Sequence, residues 1–171
     1  MLFKEQSTIS KWVADMYDQK VTDTEDVDFL LSVIGPAPKK ILEIACGTGR
    51  ILVPLAKAGH TVTGLDADEA MLAKIPPKAE GLSNICWRQA DAAQAEWGTG
   101  YDVVVLAGNI LYNIVSDMDY AKAQELFIQK AAKALVPGGH VYIEYRPGGH
   151  NLAGPKSPSK NYEGDQDWVI W

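Results

Sequence analysis

Cysteine is scarce. The 171 residues hold only Cys46 and Cys86, with no C-x-x-C pair. Neither a disulfide framework nor a cysteine-based zinc site is indicated. No stretch approaches the roughly 20 apolar residues of a membrane-crossing helix. The opening MLFKEQSTISKW has no apolar core long enough for a secretory signal. Basic residues are also short: 16 Lys and Arg against 22 Asp and Glu give a net charge of −6. A protein held to phosphates by charge is ordinarily basic, so nucleic acid is not the expected main partner. With no spanning stretch, no membrane is expected as a partner either. These absences point to a reducing cytoplasm. They leave an ordinary globular chain, 47% apolar and 22% charged, of a size for one domain.

Short apolar runs alternate with segments of helical period, the pattern of parallel βαβ units in an α/β protein. The expected strands are Lys40–Ala45, Thr61–Leu65, Asn84–Gln89, Tyr101–Leu106 and His140–Arg146. The run VVVL at 103–106 suits a strand buried on both faces. Between them fall expected helices at Gly49–Ala58, Asp68–Lys74 and Tyr120–Leu135, the last with Phe127, Ala131 and Leu135 on one face. Pro137-Gly138-Gly139 is the expected stop for that helix. Two helices precede the sheet, Ile9–Asp18 and Thr24–Ile34, the second opening on Thr24 and acidic residues. From Pro147 to Gln166 the chain reads as a long loop, and Asp167–Trp171 as the start of a strand. The expectation is a single domain over 1–171 with its C-terminal part cut short: helices in 1–36, a core in 37–146, a loop and partial strand in 147–171.

The most informative segment is Glu43-Ile44-Ala45-Cys46-Gly47-Thr48-Gly49-Arg50. A strand enters, two glycines turn the chain, and a helix leaves. Glycines here allow positive φ and close approach of a ligand to the backbone. In a doubly wound sheet this turn lies beside the topological switch point, where ligands bind. The dinucleotide fingerprint G-x-G-x-x-G would require glycine where Leu52 stands, and G-x-x-x-x-G-K-[ST] is absent. Asp66 falls at the end of the second strand, placed to accept both ribose hydroxyls. A nucleoside without phosphates is the better guest, and Glu43 suits a cationic group on it.

These residues resemble motif I of the class I S-adenosylmethionine-dependent methyltransferases. The likeness continues through VTGLDADEAML (62–72), QADAA (89–93), DVVVLAGN (102–109) and LVPGGHVYIE (135–144). Five pieces in the right order carry it over residues 15–146. The resemblance implies a Rossmann-like, mostly parallel sheet in the order 3-2-1-4-5, with S-adenosyl-L-methionine as cofactor and no metal. The cofactor contacts it implies are Glu43, Ala45, Gly47, Gly49, Asp66, Ala67, Met71, Asp91, Ala92 and Ala107. Tyr17 is added from an N-terminal helical lid over 1–36.

Plainer roles stand beside these. Asp66 and Asp91 could simply cap helices, Met71 could be core, and the first helix could pack Trp12 and Met16 inward. Cys46, His60 and His140 read as structural, whereas His150 sits in a loop expected to border the cleft.

The acceptor is read from Gly108-Asn109, IEYR (143–146) and KNY (160–162), which are similar to the glycine and sarcosine N-methyltransferases. That weaker similarity implies a small-molecule amine such as an amino acid, with Asn109, Arg146 and Tyr162 as substrate contacts. Arg146 could instead pair with Glu144 or Asp165. No catalytic base is evident, and nothing selects an oligomeric state. The competing readings are a hydroxyl, acid or macromolecular acceptor, a cofactor-binding but inactive fragment, and a nicotinamide-dependent oxidoreductase.

Overall fold

A computed structural model describes residues 2–144 and 168–170, with side chains over 10–144. Six strands form one sheet in the order β3-β2-β1-β4-β5-β6. They are β1 (Lys40–Ile44), β2 (Thr61–Asp66), β3 (Ile85–Gln89), β4 (Tyr101–Leu106), β5 (Leu135–Glu144) and β6 (Trp168–Ile170). The first five run parallel and β6 pairs antiparallel with the end of β5. The five-strand order is the one the resemblance implies, and the strand expected near the C-terminus is present.

Successive side chains of a strand point to opposite faces, and two apolar cores result. Ile41, Val62, Val103 and Val105 pack with α2 (Glu25–Ile34), α3 (Leu52–Lys57) and α4 (Glu69–Leu72). Leu42, Ile44, Leu65, Val104 and Leu106 pack with Phe127, Ala131 and Ala134 of α5 (Tyr120–Ala134). Because both faces are covered, β4 has no polar alternation. Helices on both faces make the sheet doubly wound.

Several boundaries differ from expectation: α1 (Leu2–Lys20) is longer than Ile9–Asp18, and α3 and α4 are shorter than Gly49–Ala58 and Asp68–Lys74. Three further differences lie at the end of α5, the start of β5 and the start of α2. The α5 stripe closes on buried Ala134, while Leu135 has turned extended (ψ 151) and pairs with Tyr101. Pro137 holds Val136 out of helical geometry, so the helix must stop by that point, and the pairing of Leu135 with Tyr101 ends it one residue earlier. β5 therefore starts at Leu135 and takes in Pro137-Gly138-Gly139 through a register shift opposite Tyr101–Val103. Thr24 sits at the N-cap of α2, but its nearly helical backbone (ψ 0) gives no side-chain cap. Asp23 accepts from Glu25 N instead, at 3.0 Å.

The first helix, α1 (Leu2–Lys20), does not place Trp12 and Met16 in the core; they are 62% and 41% exposed. Small Ala14 is the buried contact, which lets the helix lie close against its neighbours. Polar bonds hold it at the α4 side: Ser10 to Asp68, Asp15 to Lys74 and Asp18 to Lys78. No described helix is long and apolar enough to cross a membrane.

Cys46, at the turn after β1, packs against Gly64 of β2. A Cβ on Gly64 would lie 2.7 Å from Cys46 Sγ and 2.8 Å from Leu52 Cδ2. Both neighbours are buried, so neither can swing clear. Gly64→Ala should lower the unfolding free energy by about 2 kcal/mol, the usual scale of core overpacking. Chemical denaturation checks it, and the loss should shrink in a Cys46→Ala background, where the closest atom is gone. An equal loss in both backgrounds would show that Cys46 is not the obstacle.

Candidate functional site

The strand order reverses between β1 and β4, and the turn after β1 lies beside that crevice. This turn is shaped by positive φ at Ala45, Gly47 and Gly49 (58°, 53° and 80°). At Gly49 a Cβ would also crowd Ile75 and Val53 at 3.1 and 3.2 Å. Ala45 adopts the left-handed region with its Cβ in place, a cost of about 1–2 kcal/mol. Strain at such a position is a feature of ligand-binding turns.

Asp66 ties this turn to β2. Its Oδ2 accepts from Gly47 N at 2.7 Å and its Oδ1 from Asp68 N at 2.8 Å. Burial raises its pKa while these amides lower it, with burial prevailing. Each oxygen keeps a further lone pair. Asp68 caps α4 by accepting from Ala70 N at 2.8 Å. So Asp66 is not the α4 cap; the turn-closing role falls to it and the capping role to Asp68.

A cleft of about 200 Å³ opens at the carboxyl ends of β1, β2 and β3. Ala45, Asp66, Ala67, Asp91 and Ala92 line it, together with Phe127 of α5 and Ile110, Asn113, Ile114 and Val115 after β4. Five of the residues expected at the cofactor thus meet in one place. Among the described residues, the carboxylates of Asp66 and Asp91 are the only charged groups in this lining. Such a surface disfavours phosphates and suits a neutral nucleoside: alanines admit a flat ring and carboxylates accept from hydroxyls and amino groups. Asp91 also caps the turn that follows it, accepting from Ala93 N and Gln94 Nε2 at 2.9 Å each. Its capping and cleft-lining positions coexist.

Glu43 lies under the turn, 3% exposed. Its Oε2 finds no hydrogen-bond partner among the described residues. Burial pushes its pKa up to about 8; Arg50 opposes that, and Asp66 and Asp26 add to it. Arg50 forks onto Asp26 at 2.7 and 2.5 Å, a bidentate pair. Tyr17 of α1 meets the same guanidinium. Lys78 bonds both Asp18 of α1 and the Thr48 carbonyl of the glycine turn, at 2.6 and 2.7 Å. Arg50 and Lys78 were not among the candidates, although Arg50 directly follows Gly49 at a helix start, where a buried cation needs a carboxylate partner.

The remaining candidates are more dispersed. Met71 is half-buried on α4 and Ala107 is buried after β4; neither lines the cleft. Tyr17, Glu43, Gly47 and Gly49 also stand outside the lining, behind or beside the turn. Asn109 takes a left-handed conformation (φ 57°) before the short 3-10 turn Ile110–Tyr112. Its neighbour Gly108 N donates to Glu144 Oε2 at 2.8 Å, joining the ends of β4 and β5. Arg146, His150 and Tyr162 lie outside the described residues. Cys46 is buried, and burial pushes its thiol pKa up, the reverse of an activated nucleophile. His60 is buried, its Nδ1 accepting from Lys39 N at 3.3 Å; this and exposed His140 stand away from the cleft.

Comparison with known proteins agrees with this geometry. The family model described as a methyltransferase domain matches residues 41–139. The ubiquinone biosynthesis O-methyltransferase of Acinetobacter baumannii is 32% identical over 114 residues, covering 64% of this chain and 44% of that protein. The chain thus spans less than half the length of that curated relative. A TehB-like S-adenosylmethionine-dependent methyltransferase from Corynebacterium glutamicum superposes with a TM-score of 0.68 at 25% identity, over 82% of this chain and 74% of that one. The CcbJ methyltransferase from Streptomyces caelestis gives 0.65 at 28% identity, over 77% and 55%.

Proposed function

Because the chain belongs to the methyltransferase-domain family, we propose that it binds S-adenosyl-L-methionine in the cleft below Ala45 and Asp66 and transfers its methyl group to a small molecule. The observation that carries this is the cleft lining: among the described residues Asp66 and Asp91 are its only charges, and Ala45 of the glycine turn lies at one side. The cofactor supplies an electrophilic methyl on a sulfonium, so the protein's task is chiefly to align it with an acceptor.

Within this reading Asp66 accepts from the ribose hydroxyls and Asp91 from the adenine amino group. Ala67, Ala92 and Met71 pack near the ring. Gly47, Gly49 and Ala107 border the methionine portion, and Glu43 balances its positive charge. The helices of residues 1–36 serve as a lid, with Tyr17 reaching the turn through Arg50.

For the acceptor we favour an amine such as an amino acid, held by Asn109, Arg146 and Tyr162, in a cytoplasmic setting. A hydroxyl acceptor is the second reading. The O-methyltransferase name of one relative favours it, as does exposed Val115, an apolar side chain in the cleft lining. An amine needs only to arrive deprotonated, whereas a phenol needs its proton removed. Methyl transfer assayed with glycine or sarcosine beside simple phenols separates the two.

The cofactor itself is tested by thermal melting with S-adenosylhomocysteine and, separately, NADH. A ligand at about 100 times its dissociation constant adds roughly 2.7 kcal/mol, a shift of several degrees. A shift with S-adenosylhomocysteine alone is expected. A shift with NADH alone would favour the oxidoreductase reading, which buried Leu52 at the third glycine position already disfavours.

A further inference from the structure

Behind the cleft wall that carries Asp91, residues 91–95 form a single helical turn. Ala95 N donates to the Asp91 carbonyl at 2.8 Å and Gln94 N at 3.1 Å. The Asp91 carboxylate closes the amino end of this turn. Its other end presents carbonyls that a one-turn helix cannot satisfy internally.

Those carbonyls converge on one cation. Lys130 Nζ donates to Ala92 O, Ala93 O and Ala95 O, each at 2.8 Å. An ammonium has three hydrogens and no acceptor, so these three bonds use it completely. Trp97 Nε1 adds a second donor to Ala92 O at 2.8 Å. The ammonium stands 5.6 Å from the Trp97 ring centre, and that ring meets Phe127 edge to face at 5.3 Å. Phe127, three residues before Lys130 on α5, is itself in the cleft lining. One helix therefore supplies an apolar side chain to the cleft and a charged clamp to the wall beside it.

We propose that Lys130 is a positioning residue for the nucleoside end of the cofactor: by gathering the carbonyls of Ala92, Ala93 and Ala95 it fixes the turn on which Asp91 and Ala92 face the cleft. The inference rests on the cofactor reading above. Lys130 itself does not line that cleft, so it acts through the turn and not by contact.

The test is calorimetric titration of the full chain with S-adenosylhomocysteine. Lys130→Met keeps the stem and removes every donor, and its affinity should fall at least tenfold. Lys130→Arg, which keeps charged donors, should recover part of that loss. Lys133→Met, at an exposed lysine three residues on, should bind as the unaltered chain does. Amide exchange supplies the second readout: in Lys130→Met the amides of Gln94 and Ala95 should exchange faster while those of β1 and β4 do not.

Unchanged affinity in Lys130→Met overturns the proposal. So does a loss of affinity matched by faster exchange throughout the sheet, which would mark Lys130 as a general stabiliser. If Lys130→Met does not fold, Lys130→Gln, with one neutral donor group, is read on the same two measurements. If the unaltered chain does not bind S-adenosylhomocysteine, the cofactor reading has failed and this one with it. That result is distinct from a variant failing to differ.

Discussion

Asp66→Ala should weaken S-adenosylhomocysteine binding by at least a hundredfold. Two losses combine in it. In the proposed binding mode the ribose hydroxyls lose an acceptor, and the glycine turn loses the carboxylate that receives Gly47 N at 2.7 Å. Asp68 N is orphaned at the same time. Each donor left unsatisfied costs about 1–3 kcal/mol of folding stability, and it reaches affinity, where a hundredfold is about 2.7 kcal/mol, only by letting the turn shift away from its binding geometry. Either loss alone could supply the effect. Asp66→Asn discriminates between them, because it keeps one acceptor oxygen and puts an amide donor where the other oxygen stood. Its loss should fall between those of the unaltered chain and Asp66→Ala. Calorimetry should be run beside thermal melting. A large drop in melting temperature with unchanged affinity would reduce Asp66 to a structural tie and remove it from the ribose.

What the sequence disclosed follows from how locally each feature is encoded. The β1 turn was legible because Gly47, Gly49 and the carboxylate of Asp66 sit at fixed distances along the chain. β4 was legible because a strand buried on both faces needs an unbroken VVVL. The end of α5 was misjudged by a residue because Leu135 fits the helical stripe. A pairing with Tyr101 decides its conformation instead, and that pairing is not local. The inward reading of Trp12 and Met16 failed for a related reason. An aromatic at helical spacing describes a stripe but not what the stripe meets, and α1 is seated by Ala14 and by Lys74 and Lys78 in the turns that follow α4. Lys130 and Arg50 were hidden in the same way. A lysine on an amphipathic helix reads as solvent-facing until the turn it clamps, 35 or more positions away, is folded against it.

Glu43→Gln should make the ligand-free protein more stable, by an amount that grows with pH. The carboxyl is buried, and its pKa rises from an ordinary 4.5 to about 8. An acid whose folded pKa is raised binds its proton more tightly in the folded state. Its stabilising contribution is complete below about pH 4.5 and is lost as pH rises toward 8. By pH 7 the loss is on the order of 3 kcal/mol, at 1.36 kcal/mol per unit. Glutamine resembles the protonated acid in shape and cannot ionise, so the variant escapes this loss. The difference in unfolding free energy between variant and unaltered chain should therefore be small at pH 4, widen through pH 5–8 and level off above. Asp66, whose pKa is also raised, and Arg50 remain in both proteins, so their own titrations largely cancel in the difference. A pH-independent difference would mean that Glu43 is ionised throughout and matched by Arg50. The gain in stability should carry a functional loss. Near pH 7 the empty protein keeps this carboxyl mainly protonated at a cost to folding, which is useful only if a positive ligand draws it into the ionised form, and the amino group and sulfonium of S-adenosylmethionine are such groups. Glu43→Gln should bind that cofactor more weakly near pH 7 while melting at a higher temperature without it. Both effects in one variant would identify the buried carboxylate as strain kept for the ligand.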